Sequence, residues 1–235
     1  MLKKISKKDL FLSDQGWLQS YFHFSFAEYR NPKNVNFGVL RVLNDDTIHP
    51  SSGFGTHPHR DMEIISYIID GNLTHKDSMG HEETLTRGEV QYLSAGSGIY
   101  HSEYNHHDRE FVRLLQIWIL PPKKNLKQLY GSYEYKEEDR KNQLLNIVSS
   151  QNGTAKIKIY QDIDIYASEL DAGKVIDYEI PQHKQIYFVQ IEGKSNVNEI
   201  LLERSDALEI QCEKKLHIEA LEDSHFLFIE MQADT

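Results

Sequence analysis

Short apolar runs, bounded by Gly, Pro, Asn or Asp, recur along most of this chain. They are rich in Ile, Val, Tyr and Phe, the residue types that suit a pleated, half-buried surface. The candidate strands are Phe37–Leu43, Met62–Ile69, Val90–Leu93, Phe111–Leu120, Ile157–Tyr160, Ile186–Ile191 and Phe226–Met231. Helical periodicity is scarce, and the best helical stretch is Lys123–Tyr130. Short strands at close spacing predict an all-β sandwich or barrel with few short helices.

The strands fall into two halves. The charged run Glu134–Lys141 separates them and is typical of a solvated linker. A short motif occurs once in each half, because Tyr67–Gly71 and Val189–Gly193 both combine an apolar strand, an acid and a glycine. We therefore predict two all-β domains, at residues 1–125 and 126–235, related by internal duplication.

Composition narrows the function classes. The 235 residues include 36 Asp and Glu against 26 Lys and Arg, a net charge of -10, whereas nucleic-acid binding needs clustered positive charge. We expect neither a signal peptide nor a membrane helix, and hence a cytoplasmic protein. The single cysteine, Cys212, excludes an intramolecular disulfide or a cysteine metal cluster, and we expect it to be buried and inert.

Histidine is unevenly distributed, since nine of the 12 histidines precede residue 108. The sharpest group is Gly55-Thr-His57-Pro-His59. On a strand, side chains at i and i+2 share a face, so His57 and His59 can hold one ion there. On a helix the same pair would point about 200° apart. Glu63 has the same parity and is predicted to face inward as well.

A second motif, Gly96-Ser-Gly-Ile-Tyr-His101-Ser-Glu103, repeats the i, i+2 spacing. Three imidazoles and one carboxylate make a mixed nitrogen and oxygen site for a divalent first-row metal. One such pair in a histidine-rich chain is usually a surface accident. Two pairs, each after a glycine-rich turn, favour a metal site.

The other first-half histidines have weaker interpretations. His23 is predicted to be packed in the core, and His75 either lines a pocket mouth or is structural. His81, His106 and His107 are predicted to lie at the surface.

Taken together, the motifs resemble the two cupin motifs and, closely, the pirin family, in particular the bacterial bicupins described as quercetin 2,3-dioxygenases. The matching segments are Ser25–Tyr29, Gly53–His59, Asp77–Gly80, Gly88–Asn105 and Gln116–Pro121. The resemblance covers nearly all of the first half and the second half loosely. It implies two cupin (jelly-roll) barrels, of which the N-terminal one binds metal. By position, the family's ligands are His57, His59, His101 and Glu103.

The resemblance also implies a reaction, the oxygen-dependent cleavage of a flavonol such as quercetin. The expected cofactor is one divalent cation, Fe(II), with Mn, Co, Ni, Cu or Zn as alternatives. Glu103, or Glu63 beside it, would act as general base. Glu63 is otherwise expected to orient a histidine, with direct ligation of the metal as the alternative. Tyr100 and Tyr104 are candidates for stacking on the substrate.

Two other functions stay open. One is a non-catalytic metal-sensing or redox-sensing regulator that binds a protein partner. The other is a metal cupin that acts on an unrelated small molecule.

The second half lacks the metal motifs. Aligning Gly193 on Gly71 places Glu179 and Pro181 opposite the two histidines of the first motif and Gln185 opposite Glu63, and no shift recreates His-x-His. We therefore expect one metal per chain, in a monomer.

Overall fold

The structure is a computed structural model that describes residues 1–233. Its helices are a single 3-10 turn, Lys7–Asp9, and one short helix, α1, Glu137–Arg140. The strands of the first half of the chain are β1 Leu2–Ile5, β2 Phe11–Asp14, β3 Leu18–Phe22, β4 Leu40–Ile48, β5 Ser52–His59, β6 Glu63–Asp70, β7 Leu73–Asp77, β8 Glu82–Leu85, β9 Val90–Ser94, β10 Ile99–Asn105, β11 Val112–Ile119 and β12 Leu129–Tyr133. Those that follow are β13 Leu145–Ser150, β14 Ile157–Ile159, β15 Ile163–Leu170, β16 Val175–Glu179, β17 Lys184–Glu192, β18 Lys194–Val197, β19 Ile200–Glu203, β20 Ala207–Ile210, β21 Lys215–Ala220 and β22 Ser224–Gln232. The all-β prediction is confirmed.

The chain forms two compact units. The first-half unit comprises Phe11–Tyr135 and Ile159–Gln161, and the second-half unit comprises Met1–Leu10, Lys136–Lys158 and the described chain from Asp162 onwards. The units are not contiguous, because β1 pairs with β20 and β12 pairs with β9. A single boundary after residue 125 therefore does not follow the strand pairing.

Two antiparallel sheets build the first-half unit. The seven-stranded sheet has the order β12-β9-β6-β11-β4-β3-β2, and the four-stranded sheet has the order β5-β10-β7-β8. Both sheets supply one apolar cluster, so they face each other across a shared core. The buried members of this cluster are Leu18, Ile48, Ile68, Leu73, Leu85, Val112 and Leu114.

The second-half unit repeats this topology, with sheets β1-β20-β17-β22-β15-β13-β14 and β16-β21-β18-β19. The motif that suggested duplication occupies the same turn in both units, since Gly71 follows β6 and Gly193 follows β17. Their φ angles are 76° and 71°. A Cβ atom would lie 2.3 Å from the carbonyl oxygen of Phe111 in one turn and 2.1 Å from that of Asp223 in the other. Only glycine fits either turn without a shift of the backbone.

Two local predictions were wrong. The segment Lys123–Tyr130 is not helical, because its last two residues begin β12 and pair with β9. Cross-strand pairing thus overrides a weak local helical pattern. Cys212 is exposed rather than buried, in the turn between β20 and β21 with a φ of 59°.

Among residues 1–233, no helix has the length and apolar character required to cross a bilayer.

Candidate metal centre

Strands β5 and β10 bring the two histidine motifs together. They pair antiparallel with His57 directly opposite His101. At the end of β5 and one residue beyond it, residues 56–60 alternate between exposed and half-buried side chains. His57 and His59 lie on the half-buried face, as the i, i+2 argument predicts. On β10, His101 is 1% exposed. All three imidazoles therefore point into the first-half unit.

The three imidazoles form a compact cluster. One nitrogen from each of His57, His59 and His101 lies within 4.8 Å of the other two. The Nε2 atoms of His57 and His101 are 3.0 Å apart. The His57 ring centre is 4.7 Å from that of His59 and 4.5 Å from that of His101. Three ring nitrogens thus converge on one point.

This cluster fits a divalent ion. Nδ1 of His57 lies 2.8 Å from the carbonyl oxygen of Gly55, so Nδ1–H donates there and Nε2 keeps its lone pair. Two nitrogens that each lie about 2.1 Å from one ion, at right angles, are about 3.0 Å apart. Nδ1 of His101 is buried and has no hydrogen-bond partner within residues 1–233. The 3.0 Å spacing of the two Nε2 atoms and the free lone pair on His57 Nε2 are those expected of metal ligands.

The electrostatics favour neutral imidazoles, which are the metal-binding form. Burial, together with the neighbouring His101 and His57, lowers the pKa of His59 to about 3. Burial likewise lowers the pKa of His101 to about 3, with His57 and His75 adding to the effect. Both rings are therefore unprotonated at neutral pH.

Glu103 also faces inward and is 2% exposed. A bulge in the β10–β5 pairing lies between His101 and Glu103, yet both side chains stay on the buried face. Oε1 of Glu103 accepts a hydrogen bond from Gln91 Nε2 (3.1 Å) and lies 3.0 Å from the Ser66 hydroxyl. Among residues 1–233, Oε2 accepts only from Gln116 Nε2, at 2.9 Å. One lone pair of Oε2 is therefore free.

The side chains that hold Glu103 come from one row across the seven-stranded sheet. Gln116 on β11 pairs with Ser66 on β6, and Ser66 pairs with Gln91 on β9. On the other side, Gln116 pairs with Asn44 on β4. Neutral side chains of this row thus hold the buried Glu103 side chain in place through hydrogen bonds.

His75 is a site residue whose role the sequence left open. It is fully buried on β7, directly opposite Glu103 on β10. Its ring stacks on Tyr130 at 4.7 Å and lies 5.4 Å from the His101 ring. Ligand atoms of His75, His101 and Glu103 lie within 4.8 Å of one another. The four predicted ligands thus fall into two overlapping groups that share His101, with Glu103 in the group of His75.

The cluster lies beside a cavity of about 160 Å³. One set of its lining residues is aromatic (Phe26, Phe54 and Trp118), and another set is polar (Asn44, Asp46, Glu103 and Gln116). Asp46 accepts a hydrogen bond from the Ser20 hydroxyl, and burial raises the pKa of its carboxyl to about 7. Of these aromatic and polar residues, the sequence argument assigned a role to Glu103 and missed the others. The i, i+2 spacing of Asn44 and Asp46 within an apolar strand was the available signal.

Glu63 does not belong to the cluster. It is fully buried, but its carboxylate accepts hydrogen bonds from the Tyr92 hydroxyl (2.8 Å) and the backbone N–H groups of Tyr160 (2.7 Å) and Gln161 (2.9 Å). These acceptor contacts are with groups other than a histidine, and the roles expected for Glu63, as a base or as the residue that orients a histidine, stay predictions. Parity failed because β5 ends at His59, and Glu63 begins β6 in the other sheet.

The tyrosine candidates for substrate stacking also lie elsewhere. Tyr100 is 56% exposed, and Tyr104 donates its hydroxyl hydrogen to the carbonyl oxygen of Ser51. Both alternate with His101 and Glu103 along β10, so they lie on its opposite face. Of the other histidines, His23 is buried as predicted, and His81 and His106 lie at least partly at the surface.

The second-half unit has apolar residues at the equivalent positions. Relative to the turn glycines Gly193 and Gly71, Val197 occupies the position of His75. Val197 pairs with Ile218, whereas His75 pairs with Glu103. Leu216 pairs with Tyr178 as His101 pairs with His57. Leu216 and Ile218 are fully buried in an apolar cluster. Aligning Gly193 on Gly71 in the sequence placed Glu179, and not Tyr178, opposite His57. The alignment is off by one because the second half has one more residue between this position and its glycine.

Comparison with known proteins places these features in a family. The model of the Pirin family matches residues 5–119, and the model described as the quercetinase C-terminal cupin domain matches residues 146–231. The chain therefore carries two cupin domains, as the resemblance implied.

Relatives match along nearly the whole chain. A pirin-like protein of Caulobacter vibrioides is 39% identical over 93% of this chain and 94% of its own length. The quercetin 2,3-dioxygenase of Escherichia coli K12 is 36% identical over the same shares. The crystal structure of the bacterial pirin YhhW from Escherichia coli, in complex with nickel(II), superposes with a TM-score of 0.92 at 33% identity and covers all of both chains. From the strand topology, the histidine cluster and these matches together, the chain belongs to the pirin family.

Proposed function

We propose that this protein is a metal-dependent dioxygenase that cleaves the heterocyclic ring of flavonols such as quercetin. The observation that carries the proposal is the convergence of His57, His59 and His101 beside a cavity that Glu103 also lines. The names of similar proteins support the choice of reaction, since the Escherichia coli relative is a quercetin 2,3-dioxygenase. The overall change takes in one dioxygen and releases one carbon monoxide and one ring-opened ester.

The metal site in this proposal consists of His57, His59, His101 and Glu103. Three neutral imidazoles and one carboxylate suit iron(II), and they equally suit the other divalent first-row ions. When bound, the ion acts as a Lewis acid that favours the ionised form of a hydroxyl group on the substrate. The nickel complex of the similar pirin YhhW supports binding of a divalent ion by this fold.

Glu103 is the proposed general base. Its hydrogen bonds to Gln91 and Gln116 fix the carboxylate, and its position at the cavity brings it within reach of a bound hydroxyl group. The free lone pair of Oε2 is also the one that would bind the ion, so the carboxylate would receive a proton there only after it leaves the metal. Of the two carboxylates predicted from the sequence, Glu103 lines the cavity, which supports it over Glu63 as the base.

The aromatic lining residues bind and shield the substrate. Trp118 packs edge-on against His59 at 4.9 Å and against Phe26 at 5.2 Å. Phe54 lies 6.1 Å from the His57 ring. A planar aromatic substrate stacks well on such rings, and their apolar surfaces keep water from the histidines.

The test is to load the purified protein separately with Fe, Mn, Co, Ni and Cu and to mix each form with quercetin in air. Loss of the flavonol absorbance together with release of carbon monoxide, absent in His57→Ala and His101→Ala, is the expected result. No turnover with any of these ions would refute the dioxygenase and favour a non-catalytic regulator.

A further inference from the structure

Two polar atoms at the cavity have no hydrogen-bond partner in the part of the chain that the structure describes. Asn44 is 4% exposed, and its Oδ1 is a buried acceptor without a hydrogen-bond donor anywhere in residues 1–233. The Nε1–H of Trp118 is a buried donor that likewise finds no acceptor in the described chain. Both residues line the cavity beside the histidine cluster. Buried polar groups are nearly always hydrogen-bonded, so each of these atoms calls for a partner.

The two residues are close neighbours in the sheet. Asn44 on β4 pairs with Gln116 on β11, and Trp118 is two residues further along β11 on the same face. One wall of the cavity therefore carries an unmatched acceptor and an unmatched donor side by side. A hydroxyl group can serve both, because it donates one hydrogen and accepts at its lone pairs.

Neither residue is needed for the metal centre as the geometry defines it. The imidazoles of His57 and His101 are held by β5 and β10, and Glu103 is held by Ser66, Gln91 and Gln116. Asn44 is the one member of the polar row across the seven-stranded sheet that makes no hydrogen bond to Glu103. It is thus available to a ligand in the cavity.

The size of the cavity limits what enters it. Its volume of about 160 Å³ is below the roughly 300 Å³ at the lower end for pockets that enclose a drug-sized ligand. One aromatic ring with its substituents fits this volume better than a complete flavonol. The aromatic side chains Phe26 and Phe54 provide flat apolar surface for such a ring.

We propose that the cavity takes one hydroxylated aromatic ring of the substrate and that Asn44 and Trp118 recognise a hydroxyl group on it, other than the hydroxyl that binds the metal. This proposal rests on the proposed function and identifies residues that determine its substrate specificity. A site built to bond a hydroxyl rejects an analogue that lacks it, because the buried Oδ1 and Nε1–H then stay unpaired.

The experiment compares two flavonols with the nickel-loaded protein under nitrogen, where no oxygen supports turnover. Quercetin carries hydroxyl groups on both outer rings, and 3-hydroxyflavone carries only the metal-binding hydroxyl. Dissociation constants are measured by calorimetry for the wild type, Asn44→Ala and Trp118→Phe. The phenylalanine variant keeps an aromatic ring while removing the N–H donor. Nickel content of one equivalent is confirmed for each variant, and Asn36→Ala, at an exposed position, is the matched control.

The wild type is expected to bind quercetin about tenfold or more tightly than 3-hydroxyflavone. Each variant should weaken quercetin binding about tenfold and leave 3-hydroxyflavone binding within about twofold. Equal weakening of both flavonols, or no weakening of quercetin, would overturn the proposal while leaving the dioxygenase intact if oxygen uptake persists. If the loaded wild type binds no flavonol, the proposal and the proposed function both fail.

Discussion

Nε2 of His57 lies 3.0 Å from Nε2 of His101, across the antiparallel pair of β5 and β10. The hydrogen bond from His57 Nδ1 to the Gly55 carbonyl leaves the His57 lone pair on this side. Two imidazole nitrogens at that separation, with a third from His59 close by, are arranged for a shared cation.

Removing either ring should therefore remove the ion. His57→Ala and His101→Ala should each bind close to zero equivalents of divalent metal, against about one equivalent for the wild type. Metal analysis by mass spectrometry after dialysis measures this. His106→Ala, on an exposed position of the same unit, is the control and should keep its metal. Full metal retention by His57→Ala would contradict the assignment.

Gln116 should matter through Glu103. Its Nε2 donates to Oε2 of Glu103 at 2.9 Å, and it is itself buried. Gln116→Leu removes that donor, so the carboxylate loses its fixed position, and metal affinity should fall about 10–100-fold. Competition with a chromophoric chelator measures the affinity. Gln19→Leu, at an exposed position on β3, should bind as the wild type does, and the same result for Gln116→Leu would count against Glu103 as a ligand.

Glu63 should affect stability and not the metal. Glu63→Ala leaves the Tyr92 hydroxyl and the backbone N–H groups of Tyr160 and Gln161 without their acceptor. The free energy of unfolding should fall by about 3 kcal/mol or more, since each buried unpaired group costs about 1–3 kcal/mol. Urea unfolding measures this change, and Tyr92→Phe should lose only about 1 kcal/mol. A metal content below one equivalent in folded Glu63→Ala would restore Glu63 to the site.

Asp46 should make the stability of the metal-free protein depend on pH. Burial raises the pKa of its carboxyl from 3.8 to about 7 in the folded state. Its contribution to stability is therefore fully present below about pH 3.8 and is lost as the pH rises through about 7. Asp46→Asn cannot titrate, so its free energy of unfolding should rise relative to the wild type as the pH rises from 5 to 8.

The slope of that difference is at most about 1.4 kcal/mol per pH unit for one proton. Urea unfolding of both proteins at several pH values, with a chelator present, measures it. A difference that stays constant across this range would show that Asp46 is ionised throughout.

The sequence predicts some parts of this site well and others not at all, for a physical reason. Within one strand, side-chain alternation is local, so His57 and His59 could be placed on one face, as could His101 and Glu103 despite the bulge between them. Alternation does not carry across a turn, so the parity argument could not place Glu63, which begins β6 in the other sheet.

Residues that meet only through strand pairing carry no local signal. Asn44, Ser66, Gln91 and Gln116 lie on four strands, and they form one polar row only because of the sheet order β9-β6-β11-β4. His75 is a similar case, since its position opposite Glu103 depends on the register of β7 against β10. The fold class was predictable from strand spacing, but these cross-strand neighbours required the structure.

The most direct test of the central claim follows the oxygen atoms. Iron-loaded protein is mixed with quercetin under isotopically labelled dioxygen, and the masses of the products are measured by mass spectrometry. A dioxygenase should place both labelled atoms in the ring-opened ester and release one carbon monoxide for each quercetin consumed, and His101→Ala should form neither product. Ester that carries one labelled atom or none, or no turnover by the iron-loaded wild type, would contradict the account.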